Sequence, residues 1–173
     1  MRKLLELYWW IACFRKGPED VPASPFLAQL TALVYVLVQL PLVFTAQGNG
    51  IRVIVNSIGD LVILVVFTWL LLKIRSKPER FLQTATALLG TGVIISIIAV
   101  PLGILALNAA GTEAAFAPSM GLLIIIIWSV GIAAHIFSRA MSRPMIEGIA
   151  ISLVYFIINY QLITALSPVT AGG

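Results

Sequence analysis

Charged residues are scarce in this chain. Asp, Glu, Lys and Arg make up only 10% of its 173 residues, whereas 60% of them are hydrophobic. A soluble domain has about 25% charged residues, because its surface must interact with water. The deficit excludes an ordinary water-soluble domain and predicts that most of the surface faces lipid. The length suits one compact helical bundle better than two domains.

Cysteine and histidine are almost absent as well. Cys13 is the only cysteine and His135 is the only histidine. A single cysteine excludes an intrachain disulfide and a cysteine metal cluster. A single histidine excludes a bis-histidine haem or a multi-histidine metal site within one chain. We therefore predict that the protein uses no cofactor and no metal.

The common enzyme motifs are missing too. The chain has no Gly-x-Ser-x-Gly elbow, no P-loop, no His-Glu-x-x-His and no dinucleotide fingerprint. The net charge is +4, but the basic residues form short clusters between apolar stretches, which is typical of loops at an anionic membrane surface. We predict a non-enzymatic protein that binds no nucleic acid and whose main partner is the lipid bilayer.

Most of the sequence consists of five long apolar stretches. About 20 helical residues cross the ~30 Å hydrocarbon core of a bilayer. The sequence predicts an all-α transmembrane bundle over residues 26–167, followed by a short tail at 168–173. The five predicted spans are 26–46, 53–74, 81–107, 120–137 and 145–165.

The first 25 residues predict a cytoplasmic segment. Residues 2–16 read as an amphipathic helix that lies in the membrane surface, with charged residues beside its apolar side. The apolar positions at helical spacing are Leu4, Leu7, Tyr8, Ile11 and Phe14. Gly17 and Pro18 are expected to end this helix, and a Pro-rich linker then leads to the first span.

The basic residues also predict the orientation. Ten of the 11 Lys and Arg residues lie on one side of a five-span arrangement, and only Arg52 lies on the other. Short loops rich in Lys and Arg stay in the cytoplasm. The N-terminus is therefore expected inside and the C-terminus outside, and the short loops favour a bacterial inner membrane.

A polar layer is predicted in the outer half of the bundle. Asp60 is the only acidic residue well inside a span, where an ionisable group costs roughly 2.5–3.5 kcal/mol. Other polar side chains fall near the same depth, namely Asn56, Gln39, Asn159 and Gln161, with Ser96 and Ser129. Such a layer is either a site for an ion, a proton or a polar ligand, or a hydrogen-bonded network that holds the helices in register. The network interpretation is favoured at this stage.

A second polar group is predicted at the cytoplasmic edge. His135 and Arg139 are four residues apart in the fourth span, and Glu147 lies early in the fifth. Glu147 is expected to pair with one of them across the short turn at 139–144. We expect an interfacial ion pair, with a proton relay through His135 as the alternative.

Small residues recur at spacings of four in the last three spans. The pairs are Thr86 and Gly90, Ser129 and Ala133, and Gly148 and Ser152. Small residues let helix backbones approach closely in lipid. This spacing predicts that the third, fourth and fifth spans are neighbours.

The plan of a cytoplasmic segment, five spans and short loops resembles the Yip (Ypt-interacting protein) domain family of small membrane proteins. The likeness is one of topology and size over most of the chain. The Asp-Leu-Tyr-Gly-Pro motif of the eukaryotic members is absent, because Asp60 and Leu61 are followed by Val62 and Ile63. The resemblance therefore implies a small inner-membrane protein and carries over no functional residue.

Three functions are compatible with these observations. The favoured one is a non-catalytic scaffold or accessory subunit that associates with other membrane subunits or with itself. The alternative is a small transporter or channel, coupled to ions or protons, that uses the layer around Asp60. The third is a lipid-handling membrane enzyme.

Overall fold

The computed structural model describes residues 2–47 and 50–166, which are helical apart from short turns. The helices are α1 (Arg2–Ala12), α2 (Pro25–Gln47), α3 (Gly50–Ile74), α4 (Phe81–Asn108), α5 (Phe116–Met141) and α6 (Met145–Leu166). Five of them, α2 to α6, are long and apolar enough to cross a membrane. The predicted all-α bundle with five spans is confirmed.

The predicted span ends differ most from the structure in α5. The prediction placed this span at 120–137, whereas the helix runs from Phe116 to Met141. Its 26 residues extend about 39 Å, which exceeds the ~30 Å hydrocarbon core. Arg139 is therefore helical, although it was expected in a turn. The predicted tail at 168–173 lies wholly outside the described residues.

The five spans form a closed ring in the order α2, α4, α5, α6, α3. The most extensive packing joins α4 to α2 and α5 to α6, while α3 packs against α2 and α6 and also contacts α4. The predicted contacts between the third and fourth spans and between the fourth and fifth are present. Helices α4 and α6 are separated by α5 in the described part of the chain. The ring lets all five helices face one interior.

Glycine sets the closest approach between α5 and α6. A Cβ added to Gly148 would overlap the carbonyl oxygen of Ala134 and lie 2.9 Å from Cβ of Ser138. Backbone atoms cannot move aside as easily as the end of a flexible side chain. Gly148 is therefore required for the present distance between the two helices.

Helix α1 packs onto the bundle through its apolar side. Tyr8, Ile11 and Ala12 are buried, and the helix contacts α4 and α5. Gly90 of α4 makes room for the Tyr8 ring, which a Cβ at this position would overlap. The Tyr8 hydroxyl is 3.3 Å from the hydroxyl of Thr31 in α2. The amphipathic helix is thus an integral part of the tertiary structure.

The turn after α1 differs from the predicted one. The helix ends at Ala12, several residues before the end expected at Gly17, and the residue with the left-handed conformation is Phe14, which has a φ of 61°. Gly17 is extended, with a φ of −121°. A bulky residue rarely adopts positive φ, and contacts with α5 hold it here. The Phe14 ring packs edge-on against His135, with 5.5 Å between the ring centroids.

Two hydrogen bonds fix the same segment to α5. The indole Nε1 of Trp128 donates to the carbonyl oxygen of Ala12 at 3.1 Å. Nε2 of His135 lies 2.9 Å from the carbonyl oxygen of Lys16. The N-terminal segment therefore covers one face of α5 over more than one helical turn.

The substitution Gly148→Ala should destabilise the bundle. Overpacking a tight contact typically costs about 1–3 kcal/mol, and here the added methyl group meets backbone. The measurement is the thermal unfolding midpoint of the protein purified in detergent. Gly121→Ala is the control, because its Cβ would meet only the end of the Leu102 side chain, at 3.3 Å. Equal midpoints for the two variants would contradict the close approach.

Candidate functional site

A cavity of about 190 Å³ lies between the spanning helices. All five spans contribute to its wall. The polar lining residues are Tyr35 and Gln39 from α2, Asp60 from α3, Thr91 and Ser96 from α4, Ser129 from α5, and Tyr155 and Asn159 from α6. The rest of the wall is mainly aliphatic. An engineered protein cavity of about 150 Å³ binds benzene, so this one has room for a small ligand.

Asp60 is the centre of the polar part of the wall. The Tyr35 hydroxyl donates to its Oδ2 at 2.5 Å, and the Asn159 amide donates to its Oδ1 at 2.7 Å. The Gln39 amide lies 3.5 Å from Oδ2, at the limit of hydrogen-bond distance. A carboxylate only accepts hydrogen bonds, and all three neighbours can donate. The arrangement is therefore built around an acceptor.

Helical spacing and one glycine position these donors. Tyr35 and Gln39 are four residues apart and share one face of α2, as Tyr155 and Asn159 do on α6. A Cβ added to Gly92 of α4 would lie 2.6 Å from Cε2 of Tyr35. The missing side chain at Gly92 therefore lets the Tyr35 ring lie against α4 while its hydroxyl reaches the carboxylate.

The carboxylate lies deep in the bundle. Asp60 is about ten residues from the start of α3 at Gly50, which corresponds to about 15 Å along the helix axis. The apolar stretch of the helix begins at Val55, so Asp60 lies about 8 Å beyond that boundary, within the outer half of a hydrocarbon core of ~30 Å. A charge there is costly unless it is paired or hydrogen-bonded, and the three donors supply those bonds.

The structure brings together three of the five predicted layer residues. These are Asp60, Gln39 and Asn159, and Ser96 and Ser129 line the same cavity. Asn56 is buried one turn away on α3 and is not part of the wall.

Gln161 does not belong to this group. Its side chain is exposed and lines a separate surface groove with residues of α5 and α6. The side chains of residues two positions apart in an α-helix are separated by about 200° around the helix axis. Asn159 and Gln161 therefore point to opposite sides of α6, and the prediction that Gln161 faces the layer is corrected.

Two tyrosines of the site were not predicted from the sequence, because an aromatic residue in an apolar span is ordinarily a hydrophobic contact. Tyr35 makes the shortest bond to Asp60. Tyr155 is only 7% exposed, and its ring packs against Phe67 with 5.3 Å between centroids. The signal that could have found both is a tyrosine four residues before an amide, as in Tyr35–Gln39 and Tyr155–Asn159.

The predicted cluster at the cytoplasmic edge does not form. Arg139 Nη2 pairs with Glu19 Oε1 at 2.7 Å, and His135 contacts the Lys16 carbonyl oxygen. Both partners belong to the N-terminal segment, which occupies this face of α5. No local pattern in the sequence indicates that packing, and the expected pairing of Glu147 with His135 or Arg139 is wrong.

Glu147 is directed to a different part of the same end. Its Oε2 lies 3.3 Å from Nη2 of Arg75, which follows α3, and its Oε1 lies 3.9 Å from Nη1 of Arg143. These groups are partly exposed, and such ion pairs contribute about 0–1 kcal/mol. We assign no chemical role to them.

Comparisons with known proteins found no similarity. No family model matches the chain, and neither the curated proteins nor the solved structures contain a match. The candidate site therefore depends on geometry alone.

A double-mutant cycle should detect the bond between Tyr35 and Asp60. Tyr35→Phe and Asp60→Asn should show a coupling energy of about 1.5–3 kcal/mol, the usual range for a hydrogen bond to a charged group. The measurement is the free energy of unfolding in detergent. Tyr8→Phe is the control, since the Tyr8 hydroxyl faces Thr31 elsewhere and should be additive with Asp60→Asn. Additivity of the first pair would refute the bond.

Proposed function

We propose that this protein is a small membrane transporter or channel that binds a cation or a proton at Asp60. The observation that carries the proposal is one hydrogen-bonded carboxylate in a cavity bounded by all five spans. Acidic residues inside spans are rare and mark ion pathways and proton relays.

Further polar groups on α3 support a route past this residue. Ser57 Oγ and Thr68 Oγ1 are buried and have no hydrogen-bond partner among the residues that the structure describes. Buried polar groups are usually satisfied by protein or by ordered water. The two residues are three turns apart on one side of α3, and Asp60 lies between them along the axis. Ser57 and Thr68 could therefore bind water molecules on either side of Asp60 along α3, as a hydrated path past the carboxylate requires.

The proposal includes an orientation in the membrane. The basic end of the bundle, which carries Arg75, Lys77, Arg80, Arg139 and Arg143, faces the cytoplasm according to the distribution of positive charge. The membrane we propose is a bacterial inner membrane. The likeness to the Yip domain family stays an expectation from span number and size.

The second candidate is a non-catalytic scaffold or accessory subunit. The observation in its favour is that the donors to Asp60 come from two other helices, α2 and α6. Interhelical hydrogen bonds also hold helices together in lipid. In this alternative the bonds to Asp60 fix α2, α3 and α6 in register, and nothing passes through the cavity.

Proteoliposomes can separate the two candidates. The wild-type protein should dissipate a proton or monovalent cation gradient, and Asp60→Asn should reduce the flux to that of empty liposomes, because the charged site is lost. Glu147→Gln is the control, since it removes an acid outside the cavity. Both variants must elute as monodisperse protein. Wild-type protein without flux, together with reduced stability of Asp60→Asn, would support the scaffold instead.

Cysteine labelling can test the orientation. In a Cys13→Ala background, Ala110→Cys in the α4–α5 loop should react with a membrane-impermeant maleimide added to intact cells. Glu79→Cys in the α3–α4 loop should react only after permeabilisation. Both positions are exposed. Labelling of both residues from the same side would overturn the topology.

A further inference from the structure

We infer that the cavity takes a small organic ammonium ion, meaning an amine in its protonated form that carries an alkyl or aryl group. The inference rests on the proposed function, because it names the class of cation for the same site. It is carried by the juxtaposition of one carboxylate, three aromatic side chains and an aliphatic wall in one cavity.

The carboxylate has room for one more donor. Oδ2 of Asp60 accepts from Tyr35 and Gln39, whereas Oδ1 accepts from Asn159 among the described residues. Each carboxylate oxygen offers about two acceptor positions. Oδ1 therefore keeps one position, which an N–H group of an ammonium ion can occupy. The ion would neutralise the single acidic side chain of the wall.

The backbone around the cavity argues against a bare Na⁺ or K⁺ ion. Membrane sites for these ions take much of their coordination from carbonyl groups of filters or unwound helices. The five spans run past this cavity as continuous helix, so most carbonyl groups at this depth are used within the helices. The exceptions are the carbonyl groups of Leu37 and Ile97, because Pro41 in α2 and Pro101 in α4 have no N–H to donate to them. A divalent metal is also disfavoured, because no cluster of three or more His, Cys, Asp or Glu occurs in the described part of the chain.

Aromatic side chains supply the second recognition element. Tyr35, Tyr155 and Phe156 line the cavity. A cation over an aromatic face is attracted by the ring, more strongly when the cation is desolvated, and organic ammonium ions are recognised in this way. The Tyr155 ring packs against two phenylalanine rings. Its centroid lies 5.3 Å from that of Phe67 and 6.3 Å from that of Phe137.

The aliphatic wall suits the remainder of such a ligand. Leu64, Leu88, Ile95 and Ile132 line the cavity beside the polar group. An inorganic ion would leave these surfaces in contact with water or empty space. An alkyl or aryl group would cover these surfaces, and removing apolar surface from water is favourable. The volume of about 190 Å³ accommodates a group of benzene size.

The test is calorimetric binding of n-butylammonium to the full chain in lipid nanodiscs. Saturable binding is expected for n-butylammonium and none for n-butanol, which has the same alkyl chain without the charge. Asp60→Asn should abolish the binding. Phe156→Leu should weaken it roughly five- to thirtyfold, as expected for the loss of one cation–π contact. Phe116→Leu is the control, because Phe116 is 71% exposed at the far end of α5.

Each contrary result has a distinct meaning. Asp60-dependent binding of Na⁺ or K⁺ without competition by n-butylammonium would overturn this inference and leave the proposed transporter intact. Equal binding of n-butanol, or binding of n-butylammonium that persists in Asp60→Asn, would reduce the site to an apolar cavity and overturn the inference. Absence of n-butylammonium, Na⁺ and K⁺ binding to folded wild-type protein would overturn this inference and leave the proton as the species carried by the proposed transporter, which the flux measurement tests.

Discussion

The structure depends on keeping one carboxylate satisfied in a medium that solvates it poorly. Asp60 can remain inside the bundle only if donors reach it, and the donors are side chains of α2 and α6. This requirement places both helices beside α3 and turns their polar faces inward. The ring then closes through α4 and α5, with Gly92 making room for Tyr35. Fold and site therefore have the same physical cause.

The number and approximate positions of the spanning helices could be predicted from the sequence, because the lipid bilayer determines their length and composition. Each span had to be apolar and about 20 residues long, so hydropathy alone located five helices. The helix ends were less accessible. A hydrophobic stretch stops where polar residues begin, whereas the backbone of α5 stays helical through Arg139 to Met141. Hydropathy reports the boundary of the hydrocarbon, and hydrogen bonding decides where the helix ends.

The depth of the site residues along their spans could be predicted from the sequence, but the side of each helix that faces the interior could not. Counting residues along each span placed Asp60, Gln39 and Asn159 at the same depth. The same count also placed Gln161 there, although its side chain points away from the cavity. Only the neighbouring helices decide which side of a nearly uniform apolar helix faces inward. The contacts of His135 and Arg139 were inaccessible for a related reason. Their partners lie more than 100 residues earlier, and no local periodicity encodes that pairing.

The packing of α1 has a consequence for the order of synthesis. This helix is synthesised before the spans, whereas the surfaces that receive it, Gly90 in α4 and Trp128 in α5, are made later. Until then its apolar side has no protein partner. An amphipathic helix can lie among the lipid headgroups, and α1 can reach its final position only after α5 has been made.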